Sequence, residues 1–325
     1  MPLLTDALRL YWLPEIANAE ADLAMSISDW IREAGFYFKD FVSPGEFSLQ
    51  LSSVTDVSNL FAATSNRTMS GCFESIASIS TVSKVPRSLA WFIIKLYYAA
   101  FFGAHGHMRA CGLSCANLDA VDAVKLYESA KFQGVAGAIP KINSGQYLIR
   151  FNASTRELLF TAIQASGSHE ALWATYKKFI EEVIYRGPET ISISQQRQFV
   201  IDKLKDEITL LSLKGSNGGN WLSKMRNLVQ YRHSHGVWYP YAIDKAVPEK
   251  LISRAIDKFK SDPDSFGLTP SVGKPAVEIE TFVEGSLFIS SLARRTVLDM
   301  AARSTVKGAV ARRGAVSLLK LCSMD

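Results

Sequence analysis

Ten residues at 226–235, RNLVQYRHSH, concentrate groups able to hold a phosphate and move a proton. An arginine guanidinium makes bidentate contacts to phosphate oxygens and stabilises the negative charge that builds up in a phosphoryl transition state. An imidazole serves as general base or acid near neutral pH. Arg226 and His233 therefore suit phosphodiester cleavage. In RNA the neighbouring 2′-hydroxyl supplies the nucleophile, so neither a metal nor a covalent enzyme intermediate is required. Asn227, next to the arginine, adds a group that can orient substrate or its neighbours.

The chain around these residues predicts a helix to carry them. KGSNGGN (214–220) is a strong breaker, Asn220 can cap a helix beginning at Trp221, and Gly236 is placed to end it in a left-handed conformation. The helix predicted over 221–235 turns about 100° per residue. With Trp221 at zero, Leu222, Met225, Leu228 and Val229 share one face with it. Arg226 falls at about 140° and His233 at about 120°, two turns apart at the border of the apolar stripe. Arg232 falls amid the apolar face, and His235 points away from Arg226, as an RNA contact or surface residue.

Helix dominates the remaining prediction. Mixed three- and four-residue spacing of Leu10, Trp12, Leu13, Ile16, Leu23, Ile27, Trp30 and Ile31 predicts helix over about 8–40. Pro44-Gly45 is a turn, and Phe47, Leu49 and Leu51 alternate like a short strand. Further helices are predicted at 86–109, opened by Pro86, and at 119–132, 154–166, 168–185, 192–213 and 247–260. A loop is expected over 133–146, and a long helical region at the C-terminus. The expected fold is all-α, a helical bundle over 86–240 flanked by a mainly helical region at 1–85 and a C-terminal helical region at 241–325.

Composition excludes several alternatives. A hydrophobic share of 48% and a charged share of 21% describe a packed globular chain. The most apolar stretch, 88–104, runs about 17 residues with Lys95 in its middle, so a buried core helix is expected there and no membrane span. No secretory leader is apparent, and four cysteines in such a chain point to reduced thiols and a cytoplasmic protein. On a continuous helix His107, Cys111 and Cys115 would share a face, making a metal site conceivable. Gly106 and Gly112 interrupt that helix, so inert thiols are expected and no metal. Residues 286–325 hold seven basic residues against two acidic ones, which equals the whole net charge of +5. Such a tail is a candidate nucleic-acid surface, or else a solvated helix face. No phosphate-binding glycine loop, Gly-x-Ser-x-Gly elbow or His-Glu-x-x-His pair occurs, and no cofactor is expected.

RNLVQYRH resembles the signature of the HEPN superfamily, in which an arginine and a polar residue are followed by a histidine after four to six intervening residues. Arg226, Asn227 and His233 occupy those positions. KLYYAAFFGAHGHMRACG (95–112) is similar to the tyrosine-rich helix of many HEPN domains. The resemblance covers roughly 86–240, with an insertion or extra helices between 113 and 214. It implies a helical bundle that dimerises so that two arginine–histidine helices face each other, forming a metal-independent endoribonuclease. It also implies a role as a toxin or antiviral-defence effector, with a cognate antitoxin or regulatory protein as a further partner. Tyr98 is a reserve candidate for the site, while Tyr97 reads as core and His169, alone at a helix start, as structural or surface. The alternative is a non-catalytic HEPN-like scaffold, or a nucleic-acid-binding subunit of a larger complex.

Overall fold

The computed structural model describes residues 2–33, 35–79, 89–135, 141–165, 167–187, 191–238 and 247–324. Helices α1 (Leu3–Arg9) and α2 (Ile27–Glu33) precede strands β1 (Phe36–Ser43) and β2 (Glu46–Leu51). Next come α3 (Val54–Ala77), α4 (Ala90–Ala110), β3 (Leu113–Leu118) and α5 (Ala120–Phe132), then β4 (Gly145–Asn152) and β5 (Glu157–Ala162). Six helices complete the chain: α6 (Ser168–Arg186), α7 (Ser194–Leu211), α8 (Trp221–Arg232), α9 (Val247–Lys260), α10 (Pro275–Arg303) and α11 (Ala315–Leu321).

The all-α expectation is overturned by a five-stranded antiparallel sheet in the order β1-β2-β5-β4-β3, which makes the fold mixed α/β. The physical reason lies in period-two patterns. Tyr147 and Ile149 on β4, and Leu158 and Phe160 on β5, alternate with more exposed residues and bury their side chains on one face. Helix predicted over 154–166 is therefore strand β5. At the β4–β5 turn the Asn152 side chain accepts from the Ser154 amide at 3.1 Å, and Arg156 takes a left-handed φ of 56°. Likewise, the helix predicted over 8–40 divides into α1, α2 and β1, because Phe36 and Phe38 enter the sheet. Phe47 on β2 pairs with Phe160 on β5, and their rings stack at 4.7 Å. Across β1, the Gln133 amide completes the open edge by accepting from the Phe38 N–H at 2.7 Å and donating to the Phe36 carbonyl at 3.1 Å.

Elsewhere the helical prediction matches closely. Asp119 caps α5 by accepting from the Asp122 amide at 2.8 Å, and α6, α7 and α9 fall within two residues of expectation. Pro86 lies outside the described residues, whose part of that helix begins at Ala90. The Ser/Thr-rich 53–83 stretch contains the 24-residue α3, capped by Ser53.

Two apolar cores result. One lies between the sheet and helices α2, α3 and α5. The other lies among the helices, includes Met69, Cys72, Phe73 and Ile76 from the other side of α3, and draws on residues from Leu4 to Met324. Helix α4 is buried on nearly every side, as its even hydrophobicity requires, and Gly103 lets α10 approach so that a Cβ there would meet Ala293 at 3.3 Å. Among the described residues no helix is long and apolar enough to cross a membrane. Much of the basic tail fastens the chain to itself. Arg294 donates to the Met324 carbonyl at 2.6 Å, Arg303 pairs with Asp299 at 2.9 Å, Arg312 holds the Ser304 carbonyl and Arg313 the Ala21 carbonyl.

Candidate functional site

Helix α8 is pinned by its apolar stripe. Trp221, Leu222, Met225 and Val229 are all essentially buried, each contributing about 1.5–3 kcal/mol, and Trp221 meets Phe282 of α10 edge-on at 6.4 Å. That rotation turns Arg226 onto α4. Its guanidinium lies 5.0 Å from the Tyr97 ring, 5.8 Å from Tyr98 and 5.9 Å from Tyr231, and Nη1 donates to Gln230 Oε1 at 3.2 Å. Only 5% of the residue is exposed; among the described residues no carboxylate pairs with it, and its Nε has no acceptor. A desolvated cation without a counter-ion is costly; the tyrosine faces offset part of that cost, and an oxyanion would offset much more.

Beneath Arg226 runs a hydrogen-bonded chain that the sequence did not reveal. The Tyr97 hydroxyl lies 2.6 Å from His169 Nδ1 and accepts from Trp173 Nε1 at 3.2 Å. Burial raises the Tyr97 pKa, opposed by hydrogen bonds from Trp173, Ser223 and Arg226 and by the Arg226 charge. Burial and then the Arg226 charge lower the pKa of His169. Both causes disfavour the imidazolium, and a neutral ring shares one proton with the Tyr97 hydroxyl across the 2.6 Å bond. His169 stands 72 residues from Tyr97 in sequence, at the start of α6, where a lone histidine carries no signal. Phe101 lies between His169 and His105, with ring centroids at 4.4 and 4.8 Å. Burial pushes the His105 pKa well down, helped by Arg109 and His169.

At the other end, α8 stops at Arg232, three residues short of the predicted end. His233 takes the left-handed cap itself, with φ 50°, and its amide bonds back to the Leu228 carbonyl. The imidazole is exposed and rests on Trp238 at 5.4 Å, whose indole N–H donates to the Val229 carbonyl at 2.8 Å. Asn227 is exposed. No hydrogen bond or ring contact joins Arg226, Asn227 and His233 within the chain. Six residues lie between arginine and histidine, a separation of about 10 Å of helical rise, and the guanidinium contacts Gln230 and the tyrosine rings while the imidazole rests on Trp238.

His235 is not a surface residue. Its side chain is 8% exposed and its Nε2 meets Glu278 Oε2 at 3.1 Å. Glu278 also holds Lys214 and accepts from the Gly273 amide at 3.3 Å. Burial acts to raise the Glu278 pKa, but the bonds from Lys214, His235 and Gly273 outweigh it and leave it lowered. This carboxylate on α10 therefore anchors the turn that presents His233.

The metal geometry considered for His107, Cys111 and Cys115 is not formed as a helix face: Cys115 lies on β3, and His107 is buried against Phe179 with ring centroids at 5.7 Å. Among the described residues no three His, Cys, Asp or Glu side chains are grouped to hold a metal ion. Compared with known proteins, the chain matches no family model, no curated protein and no solved structure.

Proposed function

We propose that the protein is a metal-independent endoribonuclease of the HEPN type, acting in the cytoplasm as a toxin or antiviral-defence effector and working as a homodimer. The observation that carries this reading is the Arg226 guanidinium, enclosed by tyrosine rings with no carboxylate among the described residues to neutralise it. In the reaction, His233 as base takes the 2′-hydroxyl proton, O2′ bonds to phosphorus, and the P–O5′ bond breaks with a proton returned to O5′. Arg226 stabilises the charge on the non-bridging oxygens, and Asn227 orients the strand. Because no contact joins Arg226 and His233 within one chain, the complete site joins the arginine–histidine helices of two copies.

The test is RNA incubated with the full chain in excess chelator, with analysis of the product ends. Products carrying 2′,3′-cyclic phosphates, together with inert 2′-O-methyl RNA, are expected. A requirement for metal, or cutting of 2′-O-methyl RNA, overturns the reading. A second reading, a non-catalytic helical scaffold, is favoured by the near-complete burial of Arg226. It predicts no cleavage, and loss of assembly when Arg226 is replaced.

A further inference from the structure

Residues 75–118 and 208–243, which contain α4, α8 and their flanks, hold no Asp or Glu, although the chain has 31. Each of the two segments carries four Lys or Arg. Among the described residues Glu278 is the carboxylate bound at this end of α8; it is 2% exposed and already bound to Lys214 and His235. The same end displays aromatic rings to solvent. Trp91 is 48% exposed and meets Trp238 edge-on at 5.7 Å, His233 lies on Trp238, and Tyr231 is 68% exposed beside the Arg226 guanidinium. Trp238 is fixed to the α8 carbonyl end through its indole N–H.

Exposed rings beside unpaired cations bind single strands, whose base faces are free to stack, whereas a duplex hides those faces. Among the described residues neither Arg226 nor Arg232, beside these rings, has a carboxylate partner, so charge is left for a ligand to neutralise. A polyanion is complementary. We propose that Trp91, Tyr231 and the His233–Trp238 pair form a base-stacking subsite for an unpaired polynucleotide, whose phosphates run toward Arg226 and Arg232. The subsite rests on the RNA-cleaving reading for its role and deepens it: strandedness is selected through base faces, with little dependence on base identity.

The experiment uses the full chain in chelator with a fluorescent 2′-O-methyl oligouridine 12-mer that the proposed chemistry does not cut, and the same strand in duplex. Trp91→Ala and Tyr231→Ala are each expected to weaken single-strand binding about tenfold. Trp91→Phe and Tyr231→Phe, which keep a ring, are expected to stay within about twofold of wild type. Equal binding of duplex, or alanine variants that bind like wild type, overturns the subsite. So does a Trp91→Ala protein that changes from dimer to monomer while binding RNA unchanged, which assigns the face to a second copy. Intact binding through the row without cleavage of ordinary RNA retires the nuclease reading alone. Cleavage that is indifferent to Trp91 and Tyr231 retires the subsite alone.

Discussion

Replacing Tyr97 with phenylalanine removes one oxygen and leaves the ring. In the native protein that oxygen bonds to His169 Nδ1 and accepts from Trp173 Nε1, and both Tyr97 and Trp173 are fully buried. Its loss strands the indole N–H of the fully buried Trp173, and a stranded buried donor costs about 1–3 kcal/mol. His169 is only partly buried and can recruit water, so its share falls at the low end of that range. The expected loss of folding free energy is about 2–4 kcal/mol, a large part of a typical total of about 5–15 kcal/mol. The phenyl ring would still face the Arg226 guanidinium, which lies 5.0 Å from the tyrosine ring centre. Tyr97→Leu should therefore be worse again, by about 0.5–2 kcal/mol. Urea unfolding at pH 7.5 with a shared m-value measures both steps. A Tyr97→Phe protein within about 0.5 kcal/mol of wild type would refute the hydrogen-bonded chain. A leucine variant no worse than the phenylalanine one would refute the cation–ring contact.

Three other perturbations test the surrounding framework. His107 is buried, which lowers its pKa to about 4; the unfolded chain takes up a proton below about 6.5 while the native state does not, so stability falls with pH across that window by roughly 3 kcal/mol. His107→Gln should flatten that acid limb in urea titrations, and an unchanged limb would contradict it. Burial raises the Glu207 pKa to about 8, so the unfolded state ionises from about 4.5 while the native state stays protonated. Stability should then decline as pH rises from 4.5 to 8, by roughly 5 kcal/mol; Glu207→Gln, which leaves an oxygen for the Tyr176 hydroxyl to donate to, should remove the decline. Parallel pH curves for the two proteins would refute this. Gln133→Ala should free the edge of β1 and speed hydrogen exchange at the Phe38 amide about tenfold or more, whereas unchanged exchange would place its protection elsewhere.

The legible parts of the fold were those with long helical periodicity, as at α5, α6, α7 and α9, helped at α5 by the Asp119 cap. The sheet was hidden because its strands are short and their alternation is local: Tyr147-Leu-Ile-Arg-Phe and Leu158-Leu-Phe read equally well as buried helix until paired. The site divides along the same line. Arg226, Asn227, His233 and the tyrosine run lie on two continuous helices or at their ends, so their types and spacing could be read directly. The αL cap at His233 could not, since it trades the last three predicted helical residues for the Trp238 contact, and Gly236 offered the more obvious stop. His169 and Glu278 join the site only through tertiary packing of α6 and α10, and nothing local marks them.

The central claim is that Arg226 and His233 act on one RNA phosphodiester. It is tested most directly by single-turnover cleavage in chelator with wild type, Arg226→Ala, His233→Ala and a co-refolded mixture of the two variants. Losing the arginine should cost about 10²–10³ in rate and losing the imidazole about 10²–10⁴, with part of the activity restored in the mixture because each site is built from two copies. Cleavage unchanged by either substitution would contradict the account.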